Sequence, residues 1–189
     1  MKILIAGNKE YGLAKSIYTL YPDATFLSRS TEYNLRNRET REKVGDMSIQ
    51  YDVVILVSAL GDFNQTLLAE SIAKRWFEKS HKGYLIALGS SADTPVKGTN
   101  WVYPVEKKAL RAYMRQLSQA VSSANPPNWK TTYIAPGNMH TPRQDQKMPN
   151  TVKLDTDYVA SIIKWLIDQP QNVNISELCL DCIQNGYRL

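Results

Sequence analysis

Short apolar runs, each of strand length, recur along the chain and alternate with stretches whose apolar positions are spaced three and four apart. The runs fall at 2–6, 25–28, 53–58, 84–89, 131–135 and 177–181, and the helical patterns at 12–20, 32–44, 64–79, 104–123 and 156–168. Strands alternating with helical segments are the pattern of βαβ units wound on a parallel sheet. The expected fold class is therefore α/β, with one parallel sheet. At 189 residues and 43% hydrophobic content, the chain can bury one good core, so a single domain over 1–189 is expected. The stripe Leu110, Met114, Leu117 and Val121 predicts core or a subunit interface. Ala124-Asn125-Pro126-Pro127-Asn128 reads as a breaker between helix and strand, not a domain linker.

Composition narrows the class. The apolar start at Met1 to Ala6 gives way to Asn8-Lys9-Glu10 too early for a signal peptide, and no stretch approaches the roughly 20 apolar residues of a membrane span. A soluble cytoplasmic protein with no membrane partner is expected. The net charge of +5 is compatible with nucleic acid, but its densest part, from Arg29 to Lys43, mixes Arg36, Arg38 and Arg41 with Glu32, Glu39 and Glu42. That mixture predicts a solvated helix face, with an anionic cofactor near Arg29 as the alternative, and no nucleic-acid partner. Cys179 and Cys182 form a CxxC without a second Cys/His pair, inside an apolar run, so a strand is expected there and no metal.

The candidate chemistry lies at the ends of the apolar runs. Gly7-Asn8-Lys9-Glu10-Tyr11-Gly12 joins the first strand to the first helix, where glycines let backbone approach a pyrophosphate and a helix N-terminus offers free N–H groups. Tyr103 and Lys107 stand four apart, on one face of a helix. A cation beside a phenol favours phenolate, so a Tyr103 pKa below the ordinary value near 10 is expected, as general acid/base work requires. Ser90-Ser91 precede this pair and Pro136-Gly137-Asn138-Met139-His140-Thr141 follow it.

Taken in order, these segments resemble the short-chain dehydrogenase/reductase family. The resemblance covers nearly the whole chain: the glycine loop, Gly89-Ser90-Ser91-Ala92, Tyr103-Pro104-Val105-Glu106-Lys107, and Pro136-Gly137 followed by Thr141. It implies a doubly wound Rossmann-type sheet with helices on both faces. It also implies a hydride transfer between a nicotinamide cofactor and a small-molecule carbonyl or alcohol, with Tyr103 as general acid/base. Lys107 would depress the Tyr103 pKa and hold the nicotinamide ribose, and Ser90, with Ser91 as alternative, would bind the substrate oxygen. Asn64 resembles the asparagine that holds a proton-relay water, and equally reads as a helix N-cap. The cofactor would be held by Gly7, Asn8, Lys9, Tyr11, Gly12 and Leu13, by Ser28, Arg29 and Ser30, and by Asp46 and Met47 at the adenine. Ser58, Ala59 and Leu60, then Pro136, Gly137, Met139 and Thr141, complete the set.

Three departures mark a trimmed member: a glycine loop one residue short, a stretch from Asp46 to Asp52 too short for the usual strand and helix, and Ser58-Ala59-Leu60-Gly61 in place of the family's Asn-Ala-Gly. With Ser28-Arg29-Ser30 ending the second strand and no carboxylate before Glu32, NADP is favoured over NAD. The family commonly pairs helices across a two-fold axis, and Leu67, Leu68, Ile72 and Trp76 offer apolar surface for it, which implies a homodimer or homotetramer. A sensor or scaffold of the same fold without turnover is the alternative function.

Overall fold

The first apolar run becomes β1 (Ile3–Ala6), whose four residues are all buried because helices cover both of its faces. The computed structural model describes residues 1–94, 100–123 and 129–183; the proline pair of 124–128 lies outside them. After β1 come α1 (Gly12–Leu20), β2 (Thr25–Leu27), α2 (Arg38–Ser48), β3 (Val53–Leu56), α3 (Asn64–Glu78) and β4 (Tyr84–Leu88). The chain continues through α4 (Tyr103–Ser123), β5 (Lys130–Pro136), α5 (Pro142–Lys147), α6 (Thr156–Ile167) and β6 (Glu177–Leu180). Every pairing is parallel, in the order β2-β1-β3-β4-β5-β6, so the fold is an α/β Rossmann-type sheet.

Successive strand residues face opposite layers. Leu4 and Ala6 join Leu68, Ile72, Trp76, Leu110, Met114, Leu117 and Val121 in the layer built by α2, α3 and α4. Ile3 and Ile5 join Leu13, Ile17, Val159 and Ile163 in the layer built by α1 and α6. The stripe on α4 is therefore core. So are Leu68, Ile72 and Trp76, each 0% exposed, and of the four α3 residues expected to offer an interface only Leu67 is open to solvent.

The helix expected over 32–44 starts later. Ser28 and Thr31 bond each other's backbone N–H groups, closing a 3-10 turn at Arg29–Thr31 that Glu32 ends in the left-handed region at φ 67°. Leu35 then tucks into the core and α2 begins at Arg38. Arg38 and Glu42 pair on the exposed face as expected, but Arg41 turns inward and is buried. Cys179 lies in β6 and Cys182 beyond it, both free. Among the described residues no helix is long and apolar enough to cross a membrane.

Candidate functional site

Strand order reverses between β1 and β3, and crevices at the carboxyl ends of strands at such a switch are where ligands bind in this class of sheet. A groove of ≈ 530 Å³ opens there. It brings together Asn8 and Tyr11 of the glycine loop, Ser28, Arg29 and Ser30 after β2, and Ser58, Ala59 and Leu60 after β3. Its remaining wall, Tyr33, Asn34, Leu35 and Arg36, was not anticipated. Asp46 and Met47, expected in that place, sit inside α2 instead. Asp46 pairs with Arg75 of α3 at 2.5 Å, and Met47 packs against the core. Because the second helix starts only at Arg38, the turn before it, and not α2, lines the groove.

The loop after β1 turns tightly, with Tyr11 N–H donating to the Asn8 carbonyl at 3.0 Å and Glu10 N–H to the Asn8 side chain at 3.1 Å. Gly7 has no room for a side chain: a Cβ would stand 3.0 Å from that of Ala14 on α1. Gly12 begins α1 at φ +53°, and a Cβ there would lie 3.1 Å from the Thr141 methyl, so the glycine loop and the segment after β5 touch. Leu13 is core, and Lys9 lies over the Tyr18 ring at 5.3 Å, turned away from the groove. Gly137 packs against Asp181, and Met139 packs into the core and bridges Leu154. Thr141 caps α5 by accepting from Gln144 N–H at 3.2 Å. The Tyr11 hydroxyl accepts from Arg143 N–H at 3.3 Å, which holds α5 against the loop.

Tyr103 opens α4, with Pro104 next, where a missing N–H costs nothing. Of the two serines, Ser90 and not Ser91 acts on its phenol. Its ring stacks on Trp101 at 5.5 Å. The Lys107 ammonium lies 5.6 Å from the ring centroid. The electrostatics differ from expectation. Burial pushes the phenol pKa up, with Asp93 and Glu106 adding to the rise and the Ser90 hydrogen bond opposing it. Burial also pulls the Lys107 ammonium down to about 8. Lys107, only 4% exposed, donates to Gln65 Oε1 at 2.5 Å and to the Leu88 carbonyl at 3.1 Å. The cation therefore points into the end of the sheet, and desolvation is the largest influence on the phenol.

Asn64 is neither N-cap nor neighbour of this pair. Phe63, at φ 57°, is the N-cap of α3, and Asn64 donates to the Gly61 carbonyl and accepts from Arg41, both at 2.6 Å. Arg41 also donates to the Leu35 and Arg36 carbonyls, and so ties the wall at 35–36 to the turn at 61. The next residue, Gln65, is the one that reaches Lys107. Its sequence signal was its spacing: Gln65 continues the buried stripe Leu68, Ala69, Ile72 and Trp76, where a polar residue is out of place.

Tyr133 of β5 supports Ser90 from below. Its hydroxyl accepts from Ser90 N–H at 3.3 Å and donates to Asp93 at 2.5 Å, while Arg111 pairs with Asp93 at 3.1 Å and lies 5.1 Å from the Tyr133 ring. Gly89 is glycine because a Cβ there would fall within that ring.

No protein-family model matches the chain. An uncharacterized oxidoreductase of Staphylococcus haemolyticus is 27% identical over 103 residues, a match that covers 54% of this chain and 43% of that protein. The chain thus spans less than half the length of that relative. Among solved structures, a short-chain dehydrogenase/reductase family protein superposes with a TM-score of 0.75 at 13% identity, covering 96% of this chain and 95% of the other. A 4-hydroxyisoleucine dehydrogenase complexed with NADH gives 0.70 at 17% identity, covering 96% and 97%. The closed form of a serine dehydrogenase complexed with NADP+ gives 0.70 at 18% identity, covering 95% and 94%.

Proposed function

We propose, from a fold shared with the short-chain dehydrogenases, that this chain is an NADP-dependent oxidoreductase acting on a small carbonyl or alcohol. The observation that carries the reading is the gathering of Ser90, Tyr103 and Lys107 past the end of β4, which pairs with β3, the strand whose following residues line the groove. The residues present fit a dinucleotide. Tight backbone at Gly7 and Gly12 allows close approach, Tyr33, Leu35 and Leu60 offer an apolar wall for a base, and Arg29 and Arg36 offer two cations for phosphate. Asn8, Tyr11, Ser28, Ser30, Ser58 and Ala59 would line the cofactor, with Gly137 and Thr141 toward its nicotinamide end. When bound, the cofactor supplies the hydride.

The chain's own work is proton supply and orientation. The Ser90 hydroxyl holds the substrate oxygen and the Tyr103 phenol gives it a proton in reduction. A phenol whose pKa is raised is protonated at neutral pH and so holds a proton to give, at the expense of driving force for its transfer. Of the three N–H groups of Lys107, two are engaged, and the third would be the one to meet a ribose hydroxyl.

Titration of intrinsic fluorescence with NADPH and NADH, followed by a screen of carbonyl substrates, tests this reading. NADPH is expected to bind more tightly, and Arg29→Ala to reduce the difference by roughly ten- to a hundredfold, the worth of a charge-assisted contact of about 1.5–3 kcal/mol. Equal affinities in the unsubstituted protein would sink the preference. The raised Tyr103 pKa also favours a second reading, a nucleotide-binding sensor or scaffold without turnover, for which the same experiment gives binding and no product. The protein is further proposed to pair with itself across α3 and α4, where Leu67 and Val105 are exposed. Sedimentation at micromolar concentration is expected to give at least twice the 21.5 kDa chain mass, and a single-chain mass rejects it.

A further inference from the structure

Gln65 is 4% exposed in the first turn of α3 and spends every polar atom on the sheet end. Its amide nitrogen donates to the Leu56 carbonyl of β3 at 3.1 Å and to the Leu88 carbonyl of β4 at 2.8 Å. Its oxygen accepts from the Lys107 ammonium at 2.5 Å. The amide has only this orientation: reversed, it would set a carbonyl against two carbonyls and an NH2 against an ammonium. A glutamate in this place could not donate to both carbonyls.

We propose that Gln65 is the positioning residue for Lys107, a neutral carboxamide that fixes the ammonium at the ends of β3 and β4 without neutralising it. The proposal rests on the reading of Tyr103 and Lys107 given above. Among the described residues no carboxylate is bonded to the ammonium, and Glu106 and Asp93 act on it only through space. On α4 itself, Tyr103 presents its ring, Glu106 accepts from Phe63 N–H, and Arg111 is paired with Asp93. From the 3-10 turn at Ser91–Asp93, Asp93 is held by Arg111 and by the Tyr133 hydroxyl of β5, which also lies 3.3 Å from the Lys107 carbonyl. Among the described residues, α3 and β4 present to it the neutral Gln65 amide and the Leu88 carbonyl. A cation held in place and left unneutralised can stabilise phenolate as the Tyr103 proton leaves, whereas a carboxylate at residue 65 would cancel it.

The test is a titration of the Lys107 side chain by NMR in the protein without added ligand, in the unsubstituted chain and in Gln65→Glu and Gln65→Met. Turnover is followed against pH with any substrate found. In Gln65→Glu the Lys107 midpoint is expected to rise by about one pH unit or more, because an opposite charge favours the ammonium, and turnover to fall at least about tenfold. In Gln65→Met, which keeps length but removes the acceptor, the midpoint is expected to fall. A Lys107 midpoint unchanged in folded Gln65→Glu overturns the proposal. Should Gln65→Glu not fold, an unchanged midpoint in Gln65→Met overturns it equally. The two readings fail separately: a protein without turnover whose Lys107 midpoint moves as stated retains the positioning role and loses the enzymatic one.

Discussion

Tyr103→Phe is expected to lower the rate of the chemical step by about a hundredfold to ten-thousandfold and to leave NADPH affinity nearly unchanged. The substitution deletes one hydroxyl and keeps the ring that stacks on Trp101 and faces Lys107, so packing is conserved while the proton donor beside Ser90 is lost. General acid catalysis contributes a factor of about 10² to 10⁴. The pH profile gives the sign. With the phenol pKa raised by burial above its ordinary value near 10, its acid form persists through neutrality, so carbonyl reduction should hold level from about pH 6 until the Lys107 ammonium, pulled down to about 8, loses its proton. Alcohol oxidation needs the deprotonated form and should climb with pH across the same range. Stopped-flow measurement of single turnovers at several pH values checks both statements, and near-normal turnover in Tyr103→Phe would remove Tyr103 from the mechanism.

Gly89→Ala is expected to cost about 3 kcal/mol or more, or to prevent folding. The added methyl would fall within the ring of Tyr133, which is 0% exposed and cannot swing aside, because its hydroxyl is bonded to Asp93 and Arg111 lies against its face. Forced insertion into a packed core costs roughly 1–3 kcal/mol and occasionally more, against a total stability of about 5–15 kcal/mol. Ser90 follows Gly89 directly and rests on the same hydroxyl, so a folded variant would also lose alignment with Tyr103. Gly61→Ala serves as the control. Nothing lies within 4 Å of a Cβ there, and its urea midpoint should correspond to a change within about 0.5 kcal/mol. Equal midpoints for the two variants would contradict the placement of the Tyr133 ring.

The arrangement joins two tasks in one helix start. Asn64 and Gln65 are neighbours at the head of α3, yet Asn64 faces Arg41, which holds the groove wall at 35–36, while Gln65 faces Lys107. The turn that presents them, Asp62 and Phe63, is left-handed at both residues, and Glu106 of α4 holds it through Phe63 N–H. Backbone of this kind is rare outside glycine and persists where surrounding contacts fix it.

The strands were legible because their burial is written locally. A strand covered on both faces must be apolar at every position, so Val53–Leu56 and Tyr84–Leu88 stand out as runs, and the sequence placed each strand to within two residues at either end. Tyr103 and Lys107 were legible as a pair for the same reason, since four-residue spacing on a helix fixes their face whatever surrounds them. Their protonation was not. It depends on how deeply the sheet end is desolvated and on which acceptor the ammonium meets, and both are set by residues 15 or more positions away, Leu88 and Gln65 among them. The choice of Gln65 over Asn64 was likewise tertiary. Both are polar and both open the helix, and only the packing of Leu68, Ile72 and Trp76 against the sheet fixes the rotation that turns one inward and the other toward Arg41. The groove wall is Asn34 and Leu35, not Asp46 and Met47, because the mixed charges at 32–44 read as continuous helix, while Glu32 in the left-handed region and a buried Leu35 hold the first part in turns.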